Sequence, residues 1–170
     1  MEYILQNVRA ITLSDDRSFL DNVDIHVKNG TIERIGDLSE VKDIKRYDMK
    51  RKVALPGIVN GHMHFYSTLG RGLAMGGSPP ENFVEVLKKF WWKLDYELSR
   101  DELYHSVAFP LIEGIKHGVT TIFDHHVSTG FIKSSLVGIK NIMDDYGIKG
   151  TLSFEVSNRN GQDIFKKDVE

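Results

Sequence analysis

Cysteine is absent from all 170 residues. Its absence excludes a disulfide framework, a thiolate zinc site and a cysteine nucleophile. A reducing compartment fits, and a cytoplasmic location is the expectation. An excess of one charge is also missing. The 22 basic and 24 acidic residues leave a formal net charge of −2 with His neutral. Bulk charge therefore draws the chain toward neither nucleic acid nor an anionic membrane. No long hydrophobic run exists. The longest stretch free of Asp, Glu, Lys and Arg is Val53 to Gly70, and Pro56, Asn60, His62, His64 and three glycines interrupt it. It is no membrane span. Met1-Glu2-Tyr3 has no basic region, so it does not open a secretory signal. Repeats and low-complexity tracts are lacking too. What is present is a 41% hydrophobic content, enough for a packed core, in a length that suits one domain or one and a half.

The first fifty residues read as strands. Asp24-Ile25-His26-Val27-Lys28 alternates, with Val23, Ile25 and Val27 on one face and His26 on the solvated one. Asn29-Gly30 is a strong hairpin signal, and Thr31 to Gly36 returns. After Leu55-Pro56-Gly57 the pattern changes. Ile58-Val59 opens an apolar run that ends at His62-Met63-His64. Gly70 to Pro80 reads as a loop. Asn82 to Leu94 reads as a helix with Phe83, Val86, Leu87, Phe90 and Leu94 on one face. Ser99-Arg100-Asp101-Glu102 is a capping-box signature. It starts a helix carrying Leu103, Val107, Leu111 and Ile115, with Pro110 inside as an expected kink and Gly118 as the stop. Val119 to Phe123 is strand-like. Ile132, Leu136, Ile139 and Met143 mark another helix, stopped by Gly147, and Ile148 to Val156 is again strand-like. A polar segment, Asn158 to Glu170, follows.

From Val53 onward the order is strand, helices, strand, helix, strand. That alternation implies parallel strands joined by crossover helices. Three such strands leave open edges, so the sequence reads as the first part of a larger α/β domain.

His62 and His64 are two apart on the first of these strands, so their side chains share a face, with Cα atoms about 6.5–7 Å apart. Two imidazoles at that spacing can converge on one divalent ion. Two polar side chains satisfied by hydrogen bonds would show the same spacing. The position favours the metal, since in α/β barrels the carboxyl end of a parallel strand is the catalytic face.

Leu55-Pro56-Gly57-Ile58-Val59-Asn60-Gly61-His62-Met63-His64 resembles the opening metal segment of the amidohydrolase superfamily. The likeness continues through His64 to Gly72, Trp91 to Leu94 and Gly118 to His126. Within the superfamily it is most like the cytosine/guanine deaminase and chlorohydrolase branch, nearest to an aminohydrolase group associated with selenium metabolism. The resemblance implies an α/β fold: the first strands and helices of a (β/α)₈ TIM-type barrel over residues 54–170, preceded by part of a small β-sandwich domain over residues 1–53. It implies one divalent metal ion, Zn or Fe, with His62 and His64 as two ligands. The further ligands and the proton shuttle come from later strands, beyond residue 170. The implied reaction is hydrolysis of a C–N bond, deaminating a small purine, pyrimidine or triazine. Such an ion supplies water acidic enough to attack near neutral pH, its pKa falling from about 15.7 toward about 7. The carbon bearing the amino group is attacked, a carboxylic acid relays a proton, and ammonia departs. The implied partner is a small molecule, the complete enzyme is expected to be a homo-oligomer, and the 170-residue piece alone is expected to be inactive.

Further residues are candidates for substrate contact. Asp124 and His125 end the second strand and face the same mouth, where they bind substrate or satisfy nearby loops. Arg71 could hold a substrate oxygen by its planar fork. One of Trp91 and Trp92 is expected in the core, the other at a pocket or subunit contact. Glu155 and Arg159 close the third strand. His105 reads as a surface residue and His117 as a last-turn residue favoured by the helix dipole. Two other readings stand beside the hydrolase: a truncated, non-catalytic paralogue that binds a partner through its open sheet edge, and a barrel-type phosphoesterase that also opens with H-x-H.

Overall fold

A computed structural model describes residues 1–74 and 76–169. The chain forms two compact units, Met1–Pro56 and a second that begins at Gly57. The first unit holds β1 (Glu2–Ile11), β2 (Phe19–Lys28), β3 (Thr31–Gly36), β4 (Arg46–Asp48) and β5 (Val53–Ala54). They make one sheet in the order β3-β2-β1-β4, with β5 also paired to β1. Asn29 and Gly30 both take positive φ, 50° and 80°, as a two-residue turn between twisted strands requires. Val8, Ala10 and Ile25 are buried, with Val23 and Val27 packed against them. His26 departs from its expected solvated state. Its Nε2 lies 2.9 Å from Glu2 Oε1, because β1 runs antiparallel beside β2 and brings Glu2 diagonally opposite. The sandwich expected for this segment needs a second layer, and the described residues of the unit form a single sheet.

The second unit alternates as its sequence implies. β6 (Ile58–Met63) is followed by a 3₁₀ turn (Phe65–Gly70) and a helical stretch made of α1 (Phe83–Val86), a π turn (Leu87–Trp91) and α2 (Trp92–Glu97). Then come α3 (Arg100–Lys116), β7 (Val119–His126), α4 (Ser135–Asp145), β8 (Lys149–Phe154) and α5 (Gln162–Val169). β6, β7 and β8 form a three-stranded parallel sheet in that order. The chain is thus mixed α/β. Phe65, Leu103, Val107, Leu111, Ile122 and Ile139 are the centre of the core between this sheet and its helices. Gly150 permits the close approach of β8 to β7, since a Cβ there would lie 2.2 Å from the Ile122 carbonyl oxygen.

Ser99 caps α3 in the expected reciprocal box with Glu102, and Pro110 lies inside α3 without ending it. Gly118 follows α3 with φ of 82°. Leu103, Val107 and Leu111 are buried, while Ile115, next at the same spacing, is 41% exposed. Four-residue steps overshoot a turn, so Ile115 has drifted about 120° around the helix from Leu103. The single apolar face expected over Asn82 to Leu94 is corrected as well. Phe83 is 71% exposed. The π turn inserts a residue, so side chains before and after it no longer align. Gly70 ends the 3₁₀ turn, and no regular element occupies the other described residues of the Gly70–Pro80 loop; Met75 lies outside the described residues. Ile132 precedes α4, while Ile139 and Met143 are buried beneath it. The segment read only as polar carries α5. Among the described residues, no helix is long and apolar enough to cross a membrane.

Candidate metal centre

His62 lies near the carboxyl end of β6, and His64 is the first residue past the strand (φ −134°, ψ 86°). Their rings meet edge to face, with centroids 4.6 Å apart. The His64 Nδ1 lies 2.9 Å from the carbonyl oxygen of His125 at the end of β7. A carbonyl only accepts, so Nδ1 carries the hydrogen, and in the neutral ring Nε2 keeps its lone pair. A histidine that ligates a metal is oriented in this way, by a hydrogen bond from its other ring nitrogen. The two rings can supply two nitrogens to an ion such as Zn²⁺ or Fe²⁺. Among the described residues, no group of three or more His, Cys, Asp or Glu is placed to hold a metal. The pair fits part of a coordination shell.

The next strand supports this pair. Asp124 is buried, and its Oδ1 accepts the Phe65 N–H at 2.8 Å, while its Oδ2 is buried without a partner. Burial pushes its carboxyl up to about 7, against the pull of the Phe65 N–H and of His64. The half-buried His125 ring lies 5.4 Å from that of His64. His126 is wholly buried, with Nε2 2.9 Å from Ser128 Oγ and Nδ1 unpartnered. Burial pushes it down to about 3, and His125 adds to the shift. A cleft of 210 Å³ is lined by His62, Phe123, Asp124, His125, Thr151 and Ser153, drawn from all three strands.

The amidohydrolase family profile matches residues 53–169. The chain belongs to the amidohydrolase family. A 5-methylthioadenosine/S-adenosylhomocysteine deaminase from Thermoanaerobacter pseudethanolicus is 24% identical over 99% of this chain and 37% of its own length. A 5'-deoxyadenosine deaminase from Methanocaldococcus jannaschii is 29% identical over 77% of this chain and 29% of its own. The atrazine chlorohydrolase TrzN from Arthrobacter aurescens TC1, solved as a variant with zinc and atraton, shares the fold. Its TM-score is 0.70 at 23% identity, over 89% of this chain and 35% of that one. The chain therefore spans between 29% and 37% of the length of these relatives. These relatives give no support to the finer likeness with a selenium-associated group.

Within this amidohydrolase chain the structure gathers His62, His64, Asp124 and His125 and leaves Arg71 apart. Arg71 lines a separate 620 Å³ cavity with Tyr104, His105, Phe109 and Tyr146. Its guanidinium lies 6.0 Å from the Phe109 ring centroid. His105 is exposed, and His117 Nδ1 donates to the Glu113 carbonyl at 2.7 Å at the end of α3. Trp91 packs on Phe90, and Trp92 lies under the Arg159 guanidinium at 5.3 Å.

Sequence reasoning missed Asp95. It is buried, and accepts from Thr129 Oγ1 at 3.1 Å and Arg159 Nη2 at 2.6 Å. Arg159 Nη1 also reaches Glu155 at 2.6 Å. Burial pushes Asp95 up to about 6, opposed by Arg159 and Thr129. Its one sequence signal is an acid flanked by Trp91, Trp92 and Leu94, and the π turn hides which way it faces.

Proposed function

We propose that the complete protein is a metal-dependent hydrolase that deaminates a small aminated heterocycle, with adenosine-type purines the first class to test. The observation that carries the reading is the His62–His64 pair, with His64 Nδ1 engaged by a carbonyl and Nε2 left for an ion. The family membership and the deaminases among the relatives support it. So does the parallel sheet of β6, β7 and β8, read as the first three strands of an eight-stranded barrel with a metal site at the carboxyl ends. Residues 1–53 are read as part of an accompanying β-sandwich.

A divalent ion, Zn or Fe, held by His62 and His64 and by ligands from later strands, would make water nucleophilic near neutral pH. In the reaction, water adds at the ring carbon, the C–N bond breaks, and the nitrogen leaves as ammonia after gaining a proton from an acid on a later strand. His125, half-exposed beside the pair, is the substrate contact that the cleft supports best. Asp124 lies buried and Arg71 lines the other cavity, so neither is as well placed. A cytoplasmic homo-oligomer acting on a small molecule completes the reading.

The test is ammonia release by the complete protein, loaded with Zn²⁺ or anaerobically with Fe²⁺. The panel is adenosine and its 5'-substituted forms, guanine, 8-oxoguanine, cytosine and amino-triazines. His62→Ala and His64→Ala should each lose metal and turnover together, by more than about 100-fold. Full metal content with normal turnover in both variants would overturn the ligand assignment. Activity confined to phosphate esters would overturn the reaction class.

A further inference from the structure

β7 grips the turn behind β6 at two points. The Asp124 carboxylate accepts the N–H of Phe65, the residue after His64, at 2.8 Å. The next carbonyl along β7, that of His125, accepts the His64 Nδ1–H at 2.9 Å. The side chains alternate. Ile122, Asp124 and His126 are buried, while Phe123 is exposed and His125 half-exposed. Asp124 therefore belongs to the covered face of the strand although it is among the residues around the cleft, and a substrate there would meet the more exposed His125 first. The 3₁₀ turn adds a third tie, since Ser67 Oγ donates to the His64 carbonyl at 2.7 Å. His62 has no such support: its ring makes no hydrogen bond among the described residues, and its backbone N–H meets Asn60 Oδ1 at 3.2 Å.

We propose that Asp124 is a positioning residue for the metal centre, which through the Phe65 N–H fixes the backbone that follows His64 and so aims the His64 Nε2 at the ion. This rests on the reading of His62 and His64 as metal ligands. The carbonyl of His125 sets the rotation of the imidazole, and Asp124 sets where the ring begins. Either constraint alone leaves the ring a freedom that metal binding would have to remove. Asp124 thus has its role in the geometry of a ligand supplied by the neighbouring strand, and none in touching substrate.

Co²⁺ is the probe, with the complete protein, by chelator competition and visible absorption. Asp124→Ala should bind Co²⁺ about 10- to 100-fold more weakly and with an altered spectrum. Asp124→Asn keeps an oxygen that can accept the Phe65 N–H, so it should return affinity and spectrum to near wild type. Leu111→Ala, a core truncation away from the site, should lower the melting temperature and leave Co²⁺ affinity unchanged. If Asp124→Ala does not fold, Asp124→Ser takes its place, because its hydroxyl is too short to reach the same N–H. Wild-type affinity and spectrum in the Ala or Ser variant overturn the proposal while the metal reading stands. Equal losses in Asn and Ala variants also overturn it, since charge rather than the hydrogen bond would then matter. Failure of the wild type to take up Co²⁺, or of His64→Ala to weaken it, overturns the metal reading and this proposal with it.

Discussion

His126 shows how far a single side chain can be moved by its surroundings. It is wholly buried between the rings of Tyr66 and Phe154, and its Nε2 donates to Ser128. The imidazole falls from an ordinary 6.5 to about 3. Folding therefore favours the neutral ring. Its contribution is fully present above pH 6.5 and is lost as pH falls through the window down to about 3, at most about 5 kcal/mol in all. Asp124 and Asp95 act with the opposite sign. Their folded values are raised to about 7 and about 6, so their contributions are present below about 4 and lost as pH rises through those values. His126→Phe removes the acid-sensitive group and keeps an apolar ring between two aromatic ones. The wild-type melting temperature should drop between pH 7 and pH 4 more steeply than that of the variant. Parallel curves would show that His126 is not the group responsible. The adjacent letters Asp124-His125-His126 do not by themselves say which side chains face the core. Alternation along the strand that they end says it: Asp124 and His126 are buried, and His125 between them is only partly covered.

Elements with local signals were legible. The Asn29-Gly30 turn needs only two residues of the right backbone freedom, and the Ser99 box needs four. The His62–His64 pair needs only the period of a strand. The helical stretch before α3 was legible as helix and illegible as a surface. A π turn has no reliable letter pattern, and it rotates everything after it relative to what comes before: Phe83, ahead of it, faces solvent, and Asp95, behind it, is buried. Asp95 then becomes the pin of three elements. It joins α2 to Thr129 in the loop after β7 and to Arg159 in the segment after β8. Replacing it with Ala would leave Arg159, itself mostly covered, with Glu155 as its one carboxylate partner. Removing one member of a buried pair costs about 3–5 kcal/mol. A fall of that size in the unfolding free energy of Asp95→Ala, read from urea midpoints, is expected. Asp95→Asn should lose less, because it still accepts from Thr129. A loss below about 1 kcal/mol in the Ala variant would mean that solvent already screens the pair.

For the whole molecule, alternation of strands and helices is a local pattern and gives the parallel sheet. Closure of a barrel is not, because it depends on strands far apart in sequence, more of them than the three described here. The sheet itself carries the consequence. β6 and β8 each have one neighbour among the described residues, so each presents an unpaired edge. Val59 pairs in register with Thr121 and so lies on the same face as Phe123 and His125. Val59 is 57% exposed and Phe123 45%. An apolar, two-edged sheet of this kind invites pairing with another copy. The isolated 170-residue polypeptide should therefore sediment as a concentration-dependent mixture of assemblies. Val59→Thr with Phe123→Thr should shift it toward monomer, because these changes lower the apolar area on the open face and keep β-branched residues in the strands. The His62–His64 pair at the other end of that face should not matter to this behaviour. A single monomeric boundary at all concentrations, with a cooperative melt, would show that the sheet is content with its edges open, and would remove the physical ground for reading it as the first part of a barrel.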